Sequence, residues 1–235
     1  MQDFSQAFSE ALHLLLRFDA DLAEIVGLSL YVTLSAVLLA SLIGFPLGAL
    51  LAVARFPGRA ALTVVITALM GLPPVVVGLV VYLMLSAAGP LGVLGLLYTP
   101  TAMIIAQTIL VAPIIAALTR ESVAQMHQEY DEFLRSQGAS AWQTAGTLLW
   151  DARFALMTAA LAGFGRATAE VGAVMIVGGN INHLTRVMTT AIALETSRGN
   201  LALALGLGLI LIALSVVVTA LLGALRRQAE RAAHV

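Results

Sequence analysis

The chain of 235 residues contains no cysteine and no lysine. Without cysteine there is no disulfide framework and no thiolate metal site. Without lysine there is no Gly-rich phosphate loop ending in Lys and Ser or Thr, so this chain cannot bind ATP in that manner. Charge of both signs is scarce. Only 11% of residues are charged and 60% are hydrophobic, with a mean hydropathy of +0.97. A soluble domain has about 25% charged and about 45–50% apolar residues. That class is excluded, and the chain reads as an integral membrane protein of one domain. The net charge of −1 says nothing about nucleic acid, and no nucleic-acid partner is expected. Histidines 13, 127, 183 and 234 lack metal-ligand spacing and read as solvated loop residues. Only Glu170 lies deep in an apolar run, too little for a membrane enzyme that needs paired His or acidic ligands.

What the chain has is long apolar runs. A span needs about 20 such residues. The runs predict about five spans, at residues 25–54, 61–87, 100–118, 154–177 and 201–225. The first contains Pro46. The second is interrupted by Leu72-Pro73-Pro74, because proline removes a backbone donor and clashes one turn back. Freed backbone groups at membrane depth need cover from protein or a wet cavity. The Pro73–Pro74 kink therefore reads either as lining near a pathway or as packing against the first span. Residues 1–24 carry Phe4, Phe8, Leu12 and Leu15 at helical spacing, with Glu10, His13 and Arg17. They read as an extracytoplasmic interfacial helix rather than a span.

Arginine placement sets the expected orientation. With the N-terminus outside, Arg55, Arg59, Arg120, Arg135, Arg153, Arg226, Arg227 and Arg231 fall inside, and Arg17, Arg186 and Arg198 outside. Residues 119–153 then face the cytoplasm, as does the tail 226–235. That polar segment reads as helix, turn, helix. Gly138 supplies the turn and Ser140 a plausible N-cap. Phe133, Leu134, Trp142 and Leu148 are its candidate contacts.

Glu132, Gly138 six residues later, then Ala139-Ser140 and Trp142-Gln143-Thr144 resemble the EAA loop of ABC importer permeases. In that family the loop docks a cytoplasmic ATPase subunit. Phe133 and Leu134 replace the family's two alanines, and Leu148, Trp150 and Asp151 stand where Ile, Leu and Pro occur. The resemblance extends to SLYVTLSAVLLASLIGFPLGALLAVARFPGR and to GLPPVVVGLVVYLMLSAAGPLG. GFGRATAEVGAVMIVGGNINHLTRVMTTAIALETSRG is similar to the tungstate-type permeases nearly throughout, within a group that includes the molybdate and sulfate permeases.

Arg166 and Glu170 lie in this last segment, four residues apart. On one helix they share a face, about 18 Å into a core of about 30 Å. A charge there costs about 2.5–3.5 kcal/mol on insertion scales and faces the protein interior. Two readings stand open: an ion pair that fixes helix packing, or groups lining the pathway or its gate. Gly163, Ala167 and Val171 on one face, and Gly165, Ala169 and Ala173 on the next, suit close helix packing. Gly178-Gly179-Asn180 ends the span in a turn. Residues 182–200 then lie outside, with a short helix at 185–197. Arg186, Glu195 and Arg198 are candidate contacts for a binding protein.

The resemblance implies an all-α membrane protein in the type I ABC importer permease arrangement, with a permease domain at 25–225. It implies an importer subunit, without catalysis of its own, that carries an oxyanion, tungstate first, with molybdate or sulfate as alternatives. Implied partners are a second copy of the chain, a cytoplasmic ABC ATPase dimer that binds the ATP and Mg, an extracytoplasmic oxyanion-binding protein and the bilayer of a prokaryotic cytoplasmic membrane. A stand-alone secondary transporter or channel is the alternative class. Inverted repeats would favour it, and the two halves show no convincing match.

Overall fold

The computed structural model describes residues 20–233. The helix expected over residues 1–24 thus falls almost wholly outside the described residues. Its last five residues belong instead to the first long helix, which begins at Ala20. The described residues form helices and turns, with no strand. In order they are α1 (Ala20–Val53), α2 (Arg59–Leu69), α3 (Pro74–Leu85), α4 (Pro100–Ser136), α5 (Ala141–Asp151), α6 (Arg153–Thr168), α7 (Gly172–Gly178), α8 (Met188–Ser197) and α9 (Leu201–Ala233), with a 3-10 turn at Gly92–Leu94. Three helices are long and apolar enough to cross a membrane: α1, α4 and α9. The number rises to as many as five if the interrupted pairs α2–α3 and α6–α7 each count as one span.

Local chemistry explains most boundaries. α1 continues through Pro46 and ends where Arg59 folds back on it. Arg59 Nε donates to the Leu51 carbonyl at 2.7 Å and Nη2 to that of Ala52 at 2.8 Å. A cation thus satisfies carbonyls that the helix end leaves open. The second run breaks after Leu69. Pro73 is extended and Pro74 opens α3 at the first helical position, where its missing N–H costs nothing. α4 does not stop at residue 118, where its apolar run ends, but continues to Ser136. Nothing between Thr119 and Ser136 breaks a helix. Hydropathy marks where the solvent changes, not where the backbone does.

The chain divides into two units, each with its own packing. The first comprises the residues up to Ser35, Pro73–Gln107 and Thr168–Ala220. In it α3 lies against α7. A Cβ added at Gly78 would stand 2.7 Å from the Ala173 Cα, so the two backbones pass as close as glycine permits. Leu22, Met188, Ala191 and Leu207 form a buried cluster between α1, α8 and α9. Ser29 Oγ accepts the Met188 N–H at 2.8 Å and satisfies one donor at the start of α8.

The second unit comprises Ala36–Leu72, Thr108–Ala167 and the residues from Leu221. Ala40, Val111, Ile115 and Ala167 form one of its buried clusters. Leu51, Ile66 and Ala116 form another. A third joins Ala49, Val53 and Val123 to Leu148 and Leu156, and this cluster holds α5 in place. Large apolar side chains are exposed in each unit: Tyr31 and Leu34 on α1 and Ile212 and Val216 on α9 in the first, Leu38 and Leu42 on α1 and Leu221 on α9 in the second. Soluble monomers rarely expose apolar stripes of this size, whereas lipid accepts them.

Candidate functional site

The turn between α4 and α5 is built as a helix stop followed by a helix start. Gly138 adopts a left-handed φ of +69°. The Ala139 N–H then reaches back to the Leu134 carbonyl at 3.1 Å, closing the last turn of α4. Ser140 begins α5 with a reciprocal capping box. Its hydroxyl accepts the Gln143 N–H, while Gln143 Oε1 accepts the Ser140 N–H at 2.9 Å. Two donors that the helix start leaves open are thereby satisfied.

The turn sorts its side chains into two faces. Phe133 is 62% exposed, Trp142 69% and Trp150 70%, and Glu132 is also exposed. Leu148 points the other way and is 1% exposed. Sequence reading placed Leu148 among the outward contacts. It is instead the core anchor of α5, packed on the second unit together with half-buried Leu134. Trp142, Gly146 and Trp150 recur every four residues and so share one face of α5. Space is open around Gly146, which leaves a notch between two indoles. Arg153 lies over the Trp150 ring, 5.2 Å from its centroid, and Nη1 donates to the Trp150 carbonyl at 2.8 Å. Trp150 was legible from its spacing to Trp142.

The second group of candidates lies at interrupted helices. α6 ends at Thr168, and Glu170 stands in the gap before α7. Arg166 and Glu170 therefore do not share a face of one helix, and the small-residue stripes do not run on from Ala167 to Val171 or from Ala169 to Ala173. The side chain of Glu170 is drawn into the gap. It is 3% exposed, and Oε1 accepts the Ala173 N–H at 3.0 Å. Its carbonyl accepts the Thr189 hydroxyl at 2.8 Å, which ties the gap to α8. Thr189 gave no signal in the sequence. Within the first unit the two interruptions meet. A Cβ at Gly172 would lie 3.1 Å from Val75 Cγ2, and Val75 follows Pro73 and Pro74 directly. The start of α3 and the start of α7 thus cover each other, as irregular backbone at membrane depth requires. Arg166 is half-buried near the end of α6, in the second unit.

The third group closes α7. The helix ends at Gly178, Gly179 takes φ +72° and Asn180 φ +50°. The Thr185 hydroxyl donates to the Gly178 carbonyl at 2.5 Å and accepts the Ile181 N–H at 3.0 Å. The Tyr98 N–H donates to the Val177 carbonyl at 2.9 Å. Arg186 Nη1 donates to Asn182 Oδ1 at 2.8 Å. Glu195 is not a free surface carboxylate. It is 9% exposed and accepts from Arg198 and Asn200, each at 3.0 Å, so it organises the turn from α8 into α9. The helix before that turn begins at Met188 rather than at residue 185.

An exposed aromatic turn, interrupted apolar helices that cover one another, and loops pinned by hydroxyls are the features that the comparisons with known proteins must account for. Residues 44–231 match the family described as binding-protein-dependent transport system inner membrane component. The chain belongs to that family. It is a multi-pass membrane permease. Several relatives cover most of it. A probable anion ABC transporter permease protein of Haloferax volcanii is 42% identical over 205 residues, 85% of this chain and 88% of the relative. The tungstate uptake system permease protein TupB of Peptoclostridium acidaminophilum is 38% identical over 228 residues, 97% of this chain and 100% of the relative. The sulfate transport system permease protein CysW of Escherichia coli (strain K12) is 31% identical over 201 residues, 81% of this chain and 69% of the relative.

Proposed function

We propose that this permease carries a tetrahedral oxyanion inward, tungstate by preference, driven by a separate ATPase. The observation that carries the cargo is the end-to-end match to a tungstate uptake permease. Molybdate and sulfate are the competing cargoes. The subunit performs no catalysis, and ATP and Mg belong to the ATPase.

Two copies pair around the path. Each docks an ATPase with the turn from Glu132 to Trp150, where Phe133 and Trp142 provide the exposed contacts. Gly138, Ala139 and Ser140 fix their angle, and Leu134 holds the turn against its own unit. ATP binding draws the two turns together, and α4 carries the movement as one helix of 37 residues. At about 1.5 Å per residue it is about 55 Å long. The gate is the place in the first unit where the Pro73–Pro74 and Glu170 interruptions meet, and Arg166, in the second unit, is a separate candidate for a cation on the path that favours an anion. An oxyanion-binding protein meets the outer loops that follow Gly178-Gly179-Asn180, with Arg186 in reach and Glu195 shaping the turn below. The arginine distribution supports an N-terminus outside and a C-terminus in the cytoplasm.

The test is reconstitution in liposomes. With its ATPase and binding protein the permease is expected to take up tungstate only with ATP, and ahead of molybdate and sulfate. Sustained uptake by the permease alone would assign it to the secondary transporters. Preferred uptake of sulfate would overturn the cargo.

A further inference from the structure

We propose that the crevice between α2 and α4 in the second unit is a weak binding site for a free tetrahedral oxyanion in transit, held by the Arg120 guanidinium. The proposal deepens the oxyanion-permease reading and rests on it. The crevice has a volume of about 460 Å³ and is lined by Thr67 from α2, by Met70 just after it, and by Leu118, Arg120, Gln125 and Gln128 from α4. A water molecule occupies about 30 Å³ of liquid, so the space admits an oxyanion with part of its hydration shell.

Arg120 is half-buried, and its buried Nε–H finds no hydrogen-bond partner among the described residues. A buried donor on a permanent cation is costly to leave unmet, and the planar guanidinium fork suits oxyanion oxygens. Gln125 and Gln128 add neutral donors, while the Thr67 hydroxyl already donates to the Thr63 carbonyl at 2.9 Å. Exposed Glu121 also lines the crevice, so the lining carries one charge of each sign. That balance suits a site on a transport path, which must admit its ion and also release it. The position suits an exit as well. On α4 the crevice straddles the change from apolar sequence, ending at Leu118, to polar sequence beginning at Thr119. With the N-terminus outside, that border faces the cytoplasm.

A phospholipid headgroup shares this chemistry, so the experiment separates the two sources. The chain has no cysteine. Ala124→Cys therefore places a single thiol in the crevice wall, and Ala61→Cys places one on the exposed surface of α2 outside it. N-ethylmaleimide labelling of each is timed in the assembled transporter, with and without millimolar tungstate, sulfate or phosphate. Oxyanion is expected to slow labelling at Ala124→Cys and leave Ala61→Cys unchanged. Adding Arg120→Lys should raise the half-protecting concentration about tenfold, the loss of one hydrogen bond to a charged group. Arg120→Gln should abolish protection. Undiminished protection with Arg120→Gln overturns the proposal. So does protection that follows added anionic phospholipid alone and gains nothing from free oxyanion. No protection in a preparation that takes up tungstate sinks the site and leaves the permease reading intact. Protection in a preparation that moves no oxyanion keeps the site and sinks that reading.

Discussion

Gly138 holds its left-handed conformation in open space, since a Cβ there would meet nothing within 4 Å. Any cost of substitution is therefore conformational, about 1–2 kcal/mol for an L-residue. Gly138→Ala and Gly138→Leu should lower thermal stability by the same amount, with Gly138→Asn milder, while ATP hydrolysis persists and uptake falls. A much larger loss for leucine would mean that the site is crowded. Glu170 allows a sharper comparison. If its role is to accept the Ala173 N–H, Glu170→Gln keeps the acceptor and Glu170→Ala loses about 1 kcal/mol. Equal damage from both, by denaturation in detergent, would show that the charge matters instead. His183 lies in the loop between α7 and α8, with Nδ1 2.8 Å from a Glu24 carboxylate oxygen. That hydrogen bond and the carboxylate's charge raise its pKa above the ordinary 6.5, against an opposing effect of desolvation, with Asp21 adding and Arg186 opposing. The contact therefore stabilises the fold fully below about pH 6.5 and loses that effect as pH rises through the raised value. Glu24→Gln should bring the histidine's titration by NMR back toward its ordinary range. An unchanged midpoint would remove Glu24 as the cause.

Elements reveal what local sequence can and cannot state. The α4–α5 turn was legible because its determinants are adjacent: Gly138 for the reversal, then Ser140 and Gln143 for the restart. The Pro73–Pro74 interruption was legible for the same reason. The interruption at Glu170 was not. Residues 163–178 hold no proline and read as one continuous apolar helix. The break depends on Gly172 lying against Val75, almost a hundred positions away, and on the Ala173 N–H turning to a side chain. Leu148 was ambiguous, since which face of α5 turns inward depends on Ala49 and Val123. Packing at this scale also predicts opposite outcomes for two glycines. Gly78→Ala would press its methyl on the α7 backbone and should cost about 1–3 kcal/mol. Gly208 on α9 faces open space, so Gly208→Ala should stabilise by about 0.5–1 kcal/mol through helix propensity. Paired thermal unfolding in detergent checks both, and a shift of the same sign for the two would undo the packing argument.

For the whole molecule, composition gave the class at once, because a chain this poor in charge can satisfy its outer surface only in lipid. Orientation rests on arginine placement and is open to direct measurement. The cysteine-free background allows one thiol at a time. Leu184→Cys, exposed in the loop after α7, should react with a membrane-impermeant reagent on intact cells. Ser136→Cys at the end of α4 should react only after the membrane is opened. The reverse pattern would invert the topology. The meeting of the two interruptions has a consequence on another timescale. With Gly78 seated on Ala173, no side chain can grow at one position unless its opposite number shrinks or the backbones part. Lineages that change one should carry a compensating change at the other, so positions 78 and 173 are expected to evolve as a pair.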